Sequence, residues 1–154
     1  MTTASQFNKI SSRNVTSVVD QILNDLPILK DKLKQTFDNE QLNCQDALTE
    51  GIKFLTLAGA TPASLTPSNP VDLVWHEFLL FTKYYADFCM ENFGRFLHHL
   101  PDDNKSRNHR QFQKTLGLYS LYFGEPPIEY WGESSFTKDS NVACGSCQTF
   151  NEKE

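Results

Sequence analysis

The chain is poor in the residues that would signal the commoner chemistries. Its 154 residues contain no stretch of about 18 consecutive apolar residues, so no membrane-spanning helix is expected. Its first twelve residues are polar and lack the apolar core of a secretion signal. Lys and Arg number 14 against 19 Asp and Glu, a net charge of −5 spread along the chain. That balance argues against a nucleic-acid surface, which needs a clustered basic face. There is no phosphate-binding glycine loop, no dinucleotide fingerprint, and no Ser/His/Asp or Cys/His pattern of a nucleophilic enzyme. Four cysteines with no secretion signal make a disulfide framework improbable and a cytoplasmic location the expectation.

What is present is apolar bulk at helical spacing. Apolar residues make up 39% of the chain, with 12 Phe, 5 Tyr and 2 Trp. Each buried aromatic removes roughly 150–250 Å² from water, enough to build one core in one domain. Residues 1–12 read as a flexible lead-in, 13–132 as the helical domain, and 133–154 as a disordered, cysteine-containing tail. Val15, Val18, Val19, Ile22, Leu23 and Leu26 recur at three and four after Asn14, an acceptable N-cap. A second helix is expected over 28–37 and a third over about 40–58. A loop follows from 59 to 69. The spacing then predicts a continuous helix of about 24 residues, begun by Asn69 and Pro70 and stopped by Gly94. A fifth helix is expected over about 104–123, ended by Gly124 and Pro126–Pro127. No segment shows convincing strand alternation. The fold class is all-α, a compact bundle of about five helices around a long central one.

The chemistry-bearing stretch is Pro70 to Pro101, which holds three of the four histidines. At about 100° per residue, Val71, Val74, Phe78, Phe81, Tyr85 and Phe88 share the core face of the central helix. Asp72, His76, Lys83 and Asp87 form a narrow polar strip opposite. Such a strip on a wrapped helix is either a solvated face or a set of groups that are paired or metal-bound. Asp72 and His76 are four apart and can meet, with the carboxylate as a ligand or as a partner that orients the imidazole. His98 and His99 follow the Gly94 stop in an apolar context, Phe96-Leu-His-His-Leu-Pro101. Adjacent histidines usually point apart, so one of them folding back to His76 is the expectation. Such a set would suit zinc or iron. His109, on the apolar stripe of the next helix, is a further candidate ligand or a core-edge residue. The spacing is not His-Glu-x-x-His, because Leu80 stands where the second histidine would be.

Cys44 and Cys89 read as buried thiols that behave as small apolar residues. Cys144-Gly-Ser-Cys147 has the spacing of zinc knuckles and redox motifs, without the second pair or the βαβ setting of either. The pair is an additional candidate for metal or an inert tail.

Leu65-Thr-Pro-Ser68, Val71-Asp-Leu-Val-Trp-His76, Phe81-Thr-Lys-Tyr84, Phe88-Cys89 and Phe93-Gly-Arg-Phe-Leu-His-His-Leu-Pro101 resemble a family of bacterial glycine-rich domain-containing proteins. The resemblance implies that Asp72, Trp75, His76, His98 and His99 are marked positions of that family. It carries no activity with it. The chain departs from the family's Gly- and Cys-rich tail, keeping Cys144-Gly-Ser-Cys147 alone.

Three functional readings follow. The first is a transition-metal-binding helical domain, with His76 joined by one or both of His98 and His99, and Asp72 as a ligand or orienting partner beside them. The second is a non-enzymatic protein-interaction module with a partner surface around Tyr119, Tyr122, Tyr130 and Trp131. The third is a metal-dependent hydrolase or oxygenase at the same histidines, which would need an open metal position and a pocket.

Overall fold

In the computed structural model, residues 8–39 and 42–132 are described, together with the backbone of 145–148. The helices are α1 (Val15–Asp25), α2 (Pro27–Phe37), α3 (Cys44–Ala60), α4 (Asn69–Leu79), α5 (Thr82–Phe93), α6 (Lys105–Phe123) and the single turn α7 (Ile128–Trp131). Two four-residue strands, β1 (His98–Pro101) and β2 (Gly145–Gln148), pair antiparallel. The fold is all-α apart from that ribbon.

Helix α3 is the centre of the molecule and packs against α1, α2, α4, α5 and α6. Its sequence allows this because apolar or small residues occupy most of its circumference, and twelve of its residues are buried. Gly51 and Gly59 let two neighbours approach. A Cβ on Gly51 would lie 2.6 Å from Cγ1 of Val74 on α4, and one on Gly59 would lie 2.5 Å from the Phe93 ring on α5. Arg95 closes the far end of α3: its Nη2 donates to the carbonyls of Ala58 and Thr61.

The loop between α3 and α4 is tied down at both sides. Thr115 Oγ1 of α6 donates to the Thr66 carbonyl, and Ser68 Oγ donates to the carbonyl of Tyr130 in α7. Ser68, rather than Asn69, is the N-cap of α4, its hydroxyl accepting from the Val71 N–H. Pro70 is therefore the second helical residue.

The expected continuous helix over 70–93 is two helices. The chain leaves helical geometry at Leu80–Phe81, where Phe81 has φ −85° and ψ 67°. Neither proline nor glycine causes the break. The cause is tertiary: Trp75 Nε1 donates to Tyr85 Oη at 3.0 Å. Ten residues apart on a straight helix would stand about 15 Å apart along the axis. Folding α5 back on α4 makes that buried bond and brings Phe78 edge-on to Tyr85 and Phe88. Gly94 ends α5 in the left-handed region at φ 74°, as its position led us to expect.

The tail expected over 133–154 lies outside the described residues, except for β2. There the backbone of Gly145–Gln148 pairs with β1. Neither strand carried an alternation signal. Tyr119, Tyr130 and Trp131 are buried, so the aromatic partner surface expected around them is core; Tyr122 alone of the four is exposed.

Candidate metal centre

Asp72 sits in the first turn of α4 and His76 one turn later, which aligns them on one face. The polar strip expected to run on through Lys83 and Asp87 is cut by the break after α4. Lys83 and Asp87 pair with each other at 2.9 Å on the exposed side of α5. This leaves the Asp72–His76 pair to be completed from elsewhere.

The completing residue is His99. Tyr85 positions it: having accepted from Trp75, the Tyr85 hydroxyl donates to the carbonyl of Leu97, which is fully buried. That bond fixes the chain at the residue before β1. His99 then comes down on α4, its ring 4.2 Å from the Trp75 ring and 4.3 Å from the His76 ring by centroids.

Asp72 is the hub. Its Oδ1 lies 2.7 Å from His99 Nε2, and its Oδ2 lies 3.3 Å from His76 Nδ1. One carboxylate thus faces two imidazoles that stack at 26°. Asp72, His76 and His99 each offer a ligand atom within 4.8 Å of the others, and they are the one such group among the described residues. His99 and Asp72 are sheltered, with side chains 5% and 14% exposed, while half of His76 faces solvent. The set is two imidazole nitrogens and one carboxylate oxygen, donors that suit zinc or divalent iron.

The other sequence candidates lie apart from this group. His98 follows the alternation of a strand, pointing the other way from His99. Its ring meets Phe96 edge-on at 4.7 Å. His109 is half-buried on α6 and outside the group. Cys144 lies outside the described residues. Cys147 lies in β2, where the register sets it opposite His99. Cys44 and Cys89 are free, buried thiols, and burial pushes Cys89 up to about 11 and Cys44 up as well.

One titratable cluster was not anticipated. Glu50, 4% exposed in α3, accepts from Tyr119 Oη at 2.5 Å and from Trp131 Nε1 at 2.9 Å. Lys53 Nζ stands 3.5 Å from its other oxygen. Burial and the Glu50 charge push the Tyr119 hydroxyl well above its ordinary pKa. Nothing in the spacing of Glu50 marks it out, because its apolar neighbours on α3 give no hint of a partner 69 residues away.

The family model of the UCP032817-like proteins matches residues 17–121, which is most of the chain. The chain belongs to the UCP032817-like family. That family is uncharacterised, and the matched region contains Asp72, His76 and His99 while ending before α7 and β2. No curated protein and no solved structure matches the chain. No helix among the described residues is long and apolar enough to cross a membrane.

Proposed function

We propose that this UCP032817-like protein binds a divalent transition metal, zinc or iron, through Asp72 Oδ, a ring nitrogen of His76 and a ring nitrogen of His99. The observation that carries the reading is the convergence of these three donors from two elements separated by 27 residues in sequence. Two of them are withdrawn from water, and a buried carboxylate is retained at a cost unless a cation or hydrogen-bond donor compensates it. The Asp72 and His76 pair is preset by helix geometry, and His99 is preset by Tyr85. Little side-chain freedom remains to be lost on binding.

The test is thermal denaturation of the full chain with and without Zn²⁺, Co²⁺ and Fe²⁺, alongside metal analysis of the purified protein. A ligand at about 100 times its dissociation constant stabilises by roughly 2.7 kcal/mol, a shift of several degrees in Tm for a chain of this size. The shift is expected in the native chain and lost in His76→Ala and Asp72→Ala. A chain purified free of metal, whose Tm no ion moves, would refute the reading.

A second reading has its own observation. The 2.7 Å approach of His99 Nε2 to Asp72 is already a hydrogen bond, and it docks β1 on α4 without any ion. On this reading His99→Ala lowers stability equally with and without metal. Of the residues named for the partner-module reading, Tyr119, Tyr130 and Trp131 are buried and Tyr122 is exposed.

A further inference from the structure

Among the described residues the donor group ends at three, two imidazoles and one carboxylate. Structural zinc sites are closed by four side chains, whereas sites with three protein ligands keep a position for water or substrate. Burial says where that position opens. Trp75 is buried and closes the inner side against the His99 ring, and Asp72 and His99 are sheltered. His76 alone of the three faces solvent, so an exchangeable position opens past its ring.

The surface around His76 on that side is apolar. Leu73 stands three residues before it and Leu80 four after, the spacings that make neighbours on a helix surface. Both are at least half exposed, as is Ile28 of α2. Lys32 pairs with Glu77 at 3.5 Å, and Tyr84 Oη donates to Asp25 at 2.8 Å. These two contacts run α2 antiparallel along α4 and set Ile28 at the Leu80 end. Exposed leucines scattered singly need no explanation, but a group of them beside an open metal position forms a patch. Charge adds the second half of the description. Lys32 pairs with Glu77 and Lys83 with Asp87, so neither lysine stands free to receive an anion. A divalent ion held by Asp72 and two neutral imidazoles keeps a net positive charge. The ligand that suits this position has an anionic oxygen head and an apolar body.

We propose that the metal held by Asp72, His76 and His99 takes an aliphatic carboxylate as its exchangeable ligand, the head on the ion and the chain along Leu80 towards Ile28, with Leu73 on the other flank. This rests on the metal-binding reading above and names the class of molecule the site receives. Binding is an exchange of ligands: a carboxylate oxygen bonds to the metal, the water it replaces leaves to solvent, and no oxidation state changes. A head without a chain, or a chain without a head, meets only half of the site.

Cobalt separates the outcomes, because it substitutes for zinc and its visible bands report a change of ligand. The full chain loaded with Co²⁺ is titrated with acetate, butyrate, hexanoate and octanoate, and with 1-octanol. Each methylene fully removed from water is worth about fourfold in affinity, and about twofold when a chain lies on a surface with one side covered. Octanoate, longer than acetate by about six methylenes, should therefore bind roughly sixtyfold more tightly. 1-Octanol, which has the chain and no anionic head, should leave the bands unchanged. Leu80→Ser should bind Co²⁺ as the native chain does and narrow the octanoate-to-acetate ratio at least about fivefold, with Leu73→Ser as the second such variant. Leu121→Ser, at an exposed leucine of α6, should match the native chain. Equal affinity for acetate and octanoate would overturn the proposal at the leucines. Bands that no carboxylate moves would mean a closed coordination sphere, overturning the proposal and leaving metal binding intact. Octanoate bound equally tightly without cobalt, read by calorimetry, would overturn the part assigned to the ion. No cobalt binding at all would overturn the three-residue site as well.

Discussion

Asp72 is the residue on which the candidate site turns, and half of its role was legible. The i, i+4 spacing to His76 is a statement about helix geometry, and it holds in α4. The second oxygen, facing His99, was legible as a question: a histidine pair just past a helix stop can fold back. Which of the two does so depends on the alternation of a strand that no sequence pattern announced. Cys89 is the clearest titration at this scale. Burial raises its thiol from an ordinary value near 9 to about 11, so the folded state holds the proton more tightly than the unfolded state. The stability this contributes is whole below pH about 8.5–9 and is lost as pH rises through 11. Between pH 8 and 11, Tm should therefore fall more steeply in the native chain than in Cys89→Ala. Parallel curves, read by circular dichroism, would contradict the assigned cause.

Between α4 and α5, local propensity and tertiary bonding disagree. Leu79, Leu80, Phe81 and Thr82 continue the apolar pattern, and nothing local says stop. The break becomes intelligible once Trp75 and Tyr85 are seen to share a buried hydrogen bond that also holds Leu97. Tyr85→Phe keeps the ring and removes the hydroxyl, leaving the Trp75 N–H and the Leu97 carbonyl buried without it. A loss of about 2 kcal/mol is expected from urea denaturation, in line with orphaned buried groups. If the hydroxyl positions β1, the variant should also bind metal more weakly. A stable variant with native affinity would show that packing alone places β1. Helix α3 shows the opposite balance, because its existence and its buried stripe follow directly from periodicity. Its two close approaches, at Gly51 and Gly59, are not legible in the sequence, since a glycine within a helix says nothing of which neighbour leans on it.

Across the whole molecule, the all-α class was legible because helix signals are local: spacing, caps and the Gly94 stop. The contacts that decide where function could reside are not local. Asp72 meets His99 across 27 residues, and Glu50 meets Trp131 across 81. The Glu50 network joins α3, α6 and α7 through two donors on one carboxylate, with Lys53 beside it. Glu50→Ala would leave the Tyr119 hydroxyl and the Trp131 N–H buried and unpaired, and would open a cavity. The expected cost is about 3 kcal/mol by chemical denaturation, typical of a broken buried charged pair. A cost under about 1 kcal/mol would mean that water replaces the carboxylate.

The ring contact between Trp75 and His99 makes the molecule its own optical probe. Of its two indoles, Trp75 touches an imidazole of the candidate site, while Trp131 lies among Phe54, Phe112 and Tyr119. An imidazolium, a neutral imidazole and a metal-bound imidazole perturb an adjacent excited indole differently. Replacing Trp131 by Phe would leave one indole emitter, excited apart from the tyrosines at the red edge of the absorption, whose brightness and lifetime follow the state of His99 without any attached dye.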